Sequence, residues 1–139
     1  MANDKLTNLL FYDDFKEEVG KVIAEHNQRF MLLSGNVSNF KYINNIYGYE
    51  QGDKLLKSIA DFFISDFDDC IVGCRMHSDR FLALVKIDDD SEEQVGNDLQ
   101  KLISKFIEMI TPDFPLANIH LNCGAYIIRP EDENVSEIV

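Results

Sequence analysis

The sequence predicts an α+β fold with a ferredoxin-like core, in which an antiparallel sheet in the order β-α-β-β-α-β has helices packed on it. Three observations support this prediction. The chain has 139 residues, of which 45% are hydrophobic, and this matches one globular domain. Apolar runs of strand length stand next to polar turn residues, and amphipathic segments of helical period lie between them. Their order is helix, strand, helix, helix, strand, strand, helix, strand, so the core remains when the first helix is set aside.

The first half of the chain supplies one helix, one strand and two further helices. Residues 13–27 form the first helix, and residues 29–37, RFMLLSGNV, are typical of a buried strand. Residues 38–48 predict a short helix that ends at Gly48, since glycine readily takes a left-handed position after a helix. Residues 52–67 form an amphipathic helix. The apolar stripes of the first and third helices are Phe15, Val19, Val22 and Ile23, and Leu55, Leu56, Ile59 and Phe63.

Residues 70–87 predict a β-hairpin, because two apolar runs flank the polar tetrapeptide His77-Ser78-Asp79-Arg80. Hairpin turns favour glycine or asparagine, since their central residues often need a positive φ. This turn has neither residue. Its composition therefore needs an explanation other than turn geometry.

The last part of the chain predicts one helix and one strand. Ser91, after the run Asp88 to Asp90, and Gln94 form a capping-box pattern that opens a helix. The buried face of that helix is Val95, Leu99, Leu102, Phe106 and Ile110. The residues PDFP at 112–115 interrupt the chain, and residues 118–128 alternate as a strand with one covered face does. The covered positions are Ile119, Leu121, Cys123, Ala125 and Ile127.

Charge and hydropathy exclude several classes of function. The formal net charge is −12, so the surface repels nucleic acid and anionic lipid, and we expect neither as a partner. No leader pattern and no apolar run near 18 residues is present, which predicts a cytoplasmic domain without direct membrane contact. An anionic small ligand remains possible where a few cations gather.

Cys70, Cys74 and Cys123 are odd in number and lie within apolar runs, which predicts reduced thiols in the core. Cys70, Cys74 and His77 are residue types that bind zinc. On a strand, however, the two cysteines would lie roughly 13 Å apart, at about 3.3 Å per residue, too far to share one ion. Core packing is the favoured interpretation.

Three stretches carry motifs that occur together in one family. They read DKLTNLL at residues 4–10, GNVSNFKYINNIYGYEQGDKLL at 35–56 and RMHSDRF at 75–81. These resemble D-x-L-T-x-L, D-x-D-x-F-K-x-I-N-D-x-x-G-H-x-x-G-D-x-x-L and R-Y-G-G-D-E-F, the motifs of the GGDEF domain, the diguanylate cyclase family of bacterial signalling. The matching residues in the middle stretch are Phe40, Lys41, Ile43, Asn44, Gly48, Gly52, Asp53 and Leu56.

The resemblance implies a nucleotidyl-cyclase-like fold and, in active members, a domain that binds one GTP and two Mg²⁺ ions. Two facing domains then join their nucleotides into cyclic di-GMP. By resemblance the metal ligands are Asn36, the backbone carbonyl of Val37, and Asp79. Asn36 stands where the family has aspartate, and a neutral amide is a poorer ligand for Mg²⁺ than a carboxylate. No cofactor is therefore certain, and Mg²⁺ is expected only if GTP binds in the family manner.

The tetrapeptide His77-Ser78-Asp79-Arg80 occupies the place of the family's Gly-Gly-Asp-Glu active loop. Arg80 replaces a carboxylate by a guanidinium that is always charged, which repels a metal cation. His77 and Ser78 add Cβ atoms where glycine lets the backbone approach the substrate. We expect no catalytic residue in this loop.

The nucleotide-binding positions are better matched. By resemblance Asn44 and Asp53 contact guanine, Lys41 contacts phosphate, and Phe40 lies in the same site. Structural alternatives remain open: Asp53 caps a helix that follows Gly52, Asn44 sits at a helix end, and Lys41 is solvated.

Arg80 has two alternative roles. It gathers with Lys41 and Arg75 near phosphates, or it is an exposed turn arginine paired with Asp79. The second alternative is favoured.

The favoured function is a non-catalytic GGDEF-like module in cyclic di-GMP signalling that binds GTP and modulates an adjacent phosphodiesterase domain. The alternatives are an active cyclase with altered metal ligands and a pure dimerisation or interaction domain. The resemblance implies an EAL-type or sensor domain as neighbour and a second copy of the chain as a further partner. We expect residues 1–139 to be a single domain that lacks its C-terminal helix and belongs to a longer GGDEF–EAL type protein.

Overall fold

Helices and strands follow one another in the predicted order. The structure, a computed structural model, describes residues 3–25, 29–65, 69–87 and 92–128. Its helices and strands are α1 (Tyr12–Glu25), β1 (Phe30–Val37), α2 (Phe40–Tyr47), α3 (Tyr49–Ala60), β2 (Cys70–His77), β3 (Arg80–Lys86), α4 (Glu92–Ile110) and β4 (Leu121–Ile127). A π-helical turn, Asp61–Ser65, extends α3, and a 3₁₀ turn, Thr111–Asp113, follows α4.

The four strands form one sheet in the order β2-β3-β1-β4. Each neighbouring pair is antiparallel, and β1 lies between β3 and β4. This is the strand order of the ferredoxin-like β-α-β-β-α-β core, because each crossover helix joins two strands that are not adjacent. The predicted fold class is confirmed.

One face of the sheet packs against α3 and α4. Met31, Leu33 and Val37 of β1 alternate onto this face, as side chains of a strand do. They meet the apolar stripe that the sequence predicts on α3, where the buried side chains are Leu55, Leu56 and Ile59, and the predicted stripe of α4, where Phe106 and Ile110 are buried. Phe62, on the π-helical turn, packs against Phe106 with ring centroids 5.0 Å apart.

The opposite face of the sheet packs against α1. Phe15 and Val19 are fully buried there against Leu32, Leu82 and Leu84. The predicted stripe of α1 is therefore confirmed. Since α1 covers the second face, the sheet is buried on both sides over its central strands.

The junction between α2 and α3 differs from the prediction. Gly48 has φ 88° and ψ 161°, so its φ is positive as expected, but its ψ lies outside the left-handed helical region. Its N–H donates to the Asn44 carbonyl at 2.8 Å, and its carbonyl accepts from the Gly52 N–H at 3.1 Å. Gly48 thus ends α2 and starts α3 at Tyr49, so the predicted start at Gly52 is wrong.

Two further predictions need qualification. Ser91 of the capping box, together with Asp88 to Asp90, lies outside the described residues, as does the side chain of Phe63. The predicted strand at residues 118–128 is shorter in the structure, since β4 is Leu121–Ile127. The predicted covered face holds for Leu121, Cys123 and Ile127 on β4 and for Ile119 just before it. Ala125 is exposed, contrary to the prediction, because β4 is an edge strand and a single methyl group is short.

Candidate functional site

The N-terminal motif folds into a turn around the Asp4 carboxylate. This carboxylate accepts hydrogen bonds from the Thr7 N–H at 2.9 Å and the Thr7 hydroxyl at 2.6 Å. The Arg75 guanidinium lies 3.1 Å from both of its oxygens. Burial would raise the pKa of Asp4, but the hydrogen bonds from Thr7 and Arg75 and the charge of Arg75 outweigh it and hold the pKa below its ordinary value.

Arg75 also reaches the turn of the β2–β3 hairpin. Its Nε donates to the Ser78 carbonyl at 2.9 Å, so one guanidinium joins the N-terminal turn to the hairpin turn. Arg75 thus uses its Nε and Nη1 donors on Ser78 and Asp4, which argues against the alternative in which it gathers with Lys41 and Arg80 near phosphates.

The hairpin turn consists of Ser78 and Asp79. His77 and Arg80 are paired across the two strands, and Ser78 has φ 42°. A positive φ at the first central position usually selects glycine, the residue that the family motif places here. The serine therefore holds a backbone conformation that its Cβ disfavours.

Asp79 joins this turn to the end of β1. Its carboxylate accepts a hydrogen bond from the Val37 N–H at 3.1 Å. In the same strand pair, Asn36 lies directly opposite Arg80. The structure thus brings together all three predicted metal-ligand positions, Asn36, Val37 and Asp79, with the guanidinium-bearing residue beside them.

This set does not fit the two magnesium ions that the family resemblance implies. Mg²⁺ prefers anionic oxygen ligands, and the set offers one carboxylate, which already accepts from the Val37 N–H, together with one amide and one backbone carbonyl, both neutral. A guanidinium one strand away adds repulsion. Within the described residues, no cluster of three or more His, Cys, Asp or Glu could hold a metal ion.

The expected pairing of Arg80 with Asp79 is wrong, since Asp79 binds the Val37 N–H instead. Arg80 is exposed, as predicted. Within the described ranges, no carboxylate forms an ion pair with its guanidinium.

The predicted guanine contacts lie where α2 meets α3. Asn44 Oδ1 is buried and has no hydrogen-bond partner among the described residues. A Cβ on Gly52 would lie 1.8 Å from this oxygen and 3.3 Å from the Phe40 ring, so only glycine leaves room for the amide. Asp53, the residue after Gly52 in α3, is exposed. Because α3 begins at Tyr49, Asp53 does not cap this helix.

The first turn of α2 stands next to the end of β1. Asn39 precedes the helix with φ 56° and provides no side-chain cap. Helix N-terminal N–H groups attract anions, and Lys41, exposed at the second position, adds a positive charge there. Ser38, by contrast, is engaged, since its N–H donates to the His120 carbonyl and its hydroxyl accepts from Asn122 at 2.8 Å.

The three cysteines are free thiols on different parts of the sheet. Cys74 packs on the α1 side and Cys70 on the α3–α4 side, so they face away from each other. Burial raises the pKa of Cys74 to about 12 and that of Cys70 to about 11. These thiols belong to the core, as predicted, although Cys70 and Cys123 are only half-buried.

The family of this chain is established by its sequence. The sequence profile of the family described as "Diguanylate cyclase, GGDEF domain" matches residues 1–139. The chain belongs to the GGDEF family and therefore to the proteins of cyclic di-GMP signalling.

Among curated proteins, the chain is similar to two from Pseudomonas aeruginosa. It is 24% identical over 123 residues to the bifunctional diguanylate cyclase/cyclic di-GMP phosphodiesterase MucR, and this match covers 88% of this chain and 17% of MucR. It is 27% identical over 143 residues to the cyclic di-GMP phosphodiesterase NbdA, and this match covers 98% of this chain and 18% of NbdA. The chain thus spans less than a fifth of the length of these relatives.

Solved structures support the fold. The GGDEF domain of DgcB from Caulobacter crescentus in complex with c-di-GMP matches with a TM-score of 0.76 at 18% identity, over 98% of this chain and 82% of that one. The FimX GGDEF domain from Pseudomonas aeruginosa matches with a TM-score of 0.72 at 16% identity, over 99% of this chain and 86% of that one. Within the described ranges, no helix is long and apolar enough to cross a membrane.

Sequence reasoning missed two contacts at this site. Nothing in the sequence pairs Asp4 with Arg75, although both stand in recognised motifs. The sequence also does not show that the Asn44 side chain packs directly on Gly52, because a glycine within a helix does not reveal which side chain lies against it.

Proposed function

We propose that this chain is a non-catalytic GGDEF module that binds GTP without converting it and modulates a phosphodiesterase domain of the same polypeptide. The observation that carries the proposal is the pairing of Asn36 with Arg80 beside Asp79, whose carboxylate is held by the Val37 N–H. A neutral amide stands at one position where the family reaction uses an anionic metal ligand, and a positively charged residue lies opposite it.

The loss of turnover follows from electrostatics. In the family reaction, divalent cations neutralise the phosphates and help to activate the attacking hydroxyl. Here only Asp79 is anionic, and Arg80 lowers the affinity of its surroundings for a cation. Arg80 also cannot act as a general base, since a guanidinium holds its proton at every physiological pH.

The other end of the site supplies the argument for nucleotide binding. Asn44 Oδ1 is buried against Gly52 with no partner among the described residues, and an unpaired buried acceptor costs free energy. A ligand donor would recover that cost once the amide turned out from Gly52. Guanine carries N–H donors at N1 and the 2-amino group, which suit this amide and the exposed Asp53 carboxylate. Phe40 and Lys41 complete the proposed site beside the first turn of α2.

The proposed neighbour follows from the relatives. NbdA is named as a phosphodiesterase and MucR as a bifunctional cyclase and phosphodiesterase, and both are much longer than this chain. A domain that binds GTP without consuming it can bias a neighbouring domain if GTP prefers one of two arrangements of the pair. The neighbour would be an EAL-type phosphodiesterase domain, and pairing with a second copy of the chain remains a further route of coupling.

Two measurements test the proposal. Incubation with GTP and Mg²⁺ or Mn²⁺ should give no cyclic di-GMP above an Asp79→Ala control, whereas clear product would establish an active cyclase. Calorimetric titration should detect GTP binding that Asn44→Ala weakens at least about tenfold, or 1.4 kcal/mol. No heat of binding with or without metal, together with measurable self-association, would instead support an interaction domain.

A further inference from the structure

The cationic residue Arg80, at the start of β3 and beside the end of β1, distinguishes this site from one built for metal. Arg80 is the Cα partner of Asn36, and paired residues of antiparallel strands lie about 5 Å apart. Its guanidinium therefore belongs to the same end of the sheet as the three predicted metal-ligand positions. It is exposed, so an incoming ligand can reach it.

The carboxylates of the hairpin turn and of the N-terminal turn that Arg75 joins to it are already engaged. Asp79, the adjacent residue, accepts from the Val37 N–H, and Asp4 is held by Arg75 and Thr7. In the described ranges no carboxylate pairs with Arg80. The guanidinium thus keeps its donors for an external acceptor, in a chain whose net charge of −12 otherwise repels anions.

Further groups that attract anions lie close by in the chain. Only Val37, Ser38 and Asn39 separate Asn36 from α2, whose first turn has no side-chain cap and carries the exposed Lys41. The Tyr42 and Ile43 N–H groups donate to the Asn39 carbonyl, which leaves the N–H groups ahead of them at the start of α2. A phosphate held between this turn and Arg80 would accept from those N–H groups and from the guanidinium fork.

From these relationships we infer that the site binds the phosphates of its nucleotide without a divalent cation, with Arg80 supplying the positive charge that metal supplies in the rest of the family. The inference rests on the proposed function and specifies its ligand as the metal-free nucleoside triphosphate. Arginine suits this task because it contacts two phosphate oxygens at once and does not depend on carboxylate ligands.

The test is a calorimetric titration of GTP into the protein in EDTA and, separately, in Mg²⁺. For the unaltered chain, the two dissociation constants should agree within about threefold, less than 1 kcal/mol. Arg80→Glu, which restores the family residue, should weaken binding in EDTA at least about tenfold, and Mg²⁺ should recover part of that loss. Arg80→Lys should give an intermediate affinity in EDTA, since it keeps the charge and loses the fork.

A comparison of guanosine, GMP and GTP separates the role of Arg80 from a general effect on folding. Arg80→Ala should weaken GTP strongly and guanosine hardly at all, whereas a misfolded site would weaken both. Lys101→Ala, an exposed cation on α4, is the matched control and should leave every affinity unchanged.

Three results of these titrations would count against the inference, and they differ in what they say about the proposed function. GTP binding that requires Mg²⁺ in the unaltered chain, or an EDTA affinity unchanged by Arg80→Ala, would overturn the inference and leave the proposed function in place. Absence of GTP binding in both buffers would overturn the proposed function as well.

Discussion

The Arg75 guanidinium lies 3.1 Å from the Asp4 carboxylate, although 71 positions separate the two residues in the chain. The pair is well shielded, with 17% and 14% of the two side chains exposed. Through its bond to the Ser78 carbonyl, Arg75 also fixes the hairpin turn relative to the N-terminal segment. This contact ties the first residues of the domain to its candidate site.

Asp4→Ala should lower the free energy of unfolding by about 3 kcal/mol, because it leaves a largely buried guanidinium without its partner. Arg75→Met should cost a similar amount, and the double variant should cost clearly less than the sum. Urea unfolding measures all three. Lys21→Met, an exposed cation 3.7 Å from Glu17, is the control and should cost less than about 0.5 kcal/mol. Additive costs at positions 4 and 75 would contradict the pairing.

The Asp4 carboxyl should also make stability depend on pH. Its pKa in the folded domain lies below the ordinary value of 3.8, so the unfolded chain takes up the proton first as the pH falls. The stabilisation is therefore complete above the ordinary pKa and declines as the pH falls through the folded pKa. The difference in unfolding free energy between the unaltered domain and Asp4→Asn should shrink below pH 3.8. A constant difference from pH 7 to pH 3 would show that Asp4 acts through shape alone.

Ser78→Gly should stabilise the domain by about 0.5 to 1 kcal/mol, because glycine adopts a positive φ without the steric cost that a Cβ brings. Thermal unfolding checks this. Ser78→Val should destabilise, since a β-branched residue fits this conformation worst. If Ser78→Gly lowered the melting temperature, the serine hydroxyl would have to make a stabilising contact that outweighs the strain.

Gly52→Ala should displace the Asn44 amide, because the new Cβ would lie 1.8 Å from its Oδ1. We expect a loss of about 1 to 3 kcal/mol of stability and a larger proportional loss of GTP affinity. Gly96→Ala on α4 is the matched control: nothing lies within 4 Å of its Cβ, and alanine in a helix should add about 0.5 to 1 kcal/mol. Adding Asn44→Ala to Gly52→Ala should restore much of the stability but not the binding. Unchanged GTP affinity in Gly52→Ala would contradict the role of Asn44.

The helices and strands and their buried faces could be predicted because the periodicity of hydrophobic residues is visible within each short stretch of sequence. The stripes at Phe15 and Val19 and at Phe106 and Ile110 became core in the expected helices. The start of α3 was predicted at the wrong residue because Gly48 is both the C-terminal cap of α2 and the N-terminal cap of α3. From the sequence, Gly48 is assigned only to the end of α2.

The site was predicted less completely than the fold. Motif spacing placed Asn36, Val37 and Asp79 together, and the structure agrees. The partners of the charged residues could not be predicted, because they are distant in the sequence and meet only in the folded chain. Arg75 pairs with Asp4, and Asp79 accepts from the Val37 N–H.

Gly48 is the whole connection between the helix that carries Asn44 and the helix that carries Asp53. The two faces of the proposed guanine pocket therefore share a single pivot, whose φ of 88° an ordinary side chain disfavours. A residue with a Cβ would be strained at this φ even though nothing lies within 4 Å of that atom, so the placement of Asn44 relative to Asp53 depends on the backbone freedom of this one glycine.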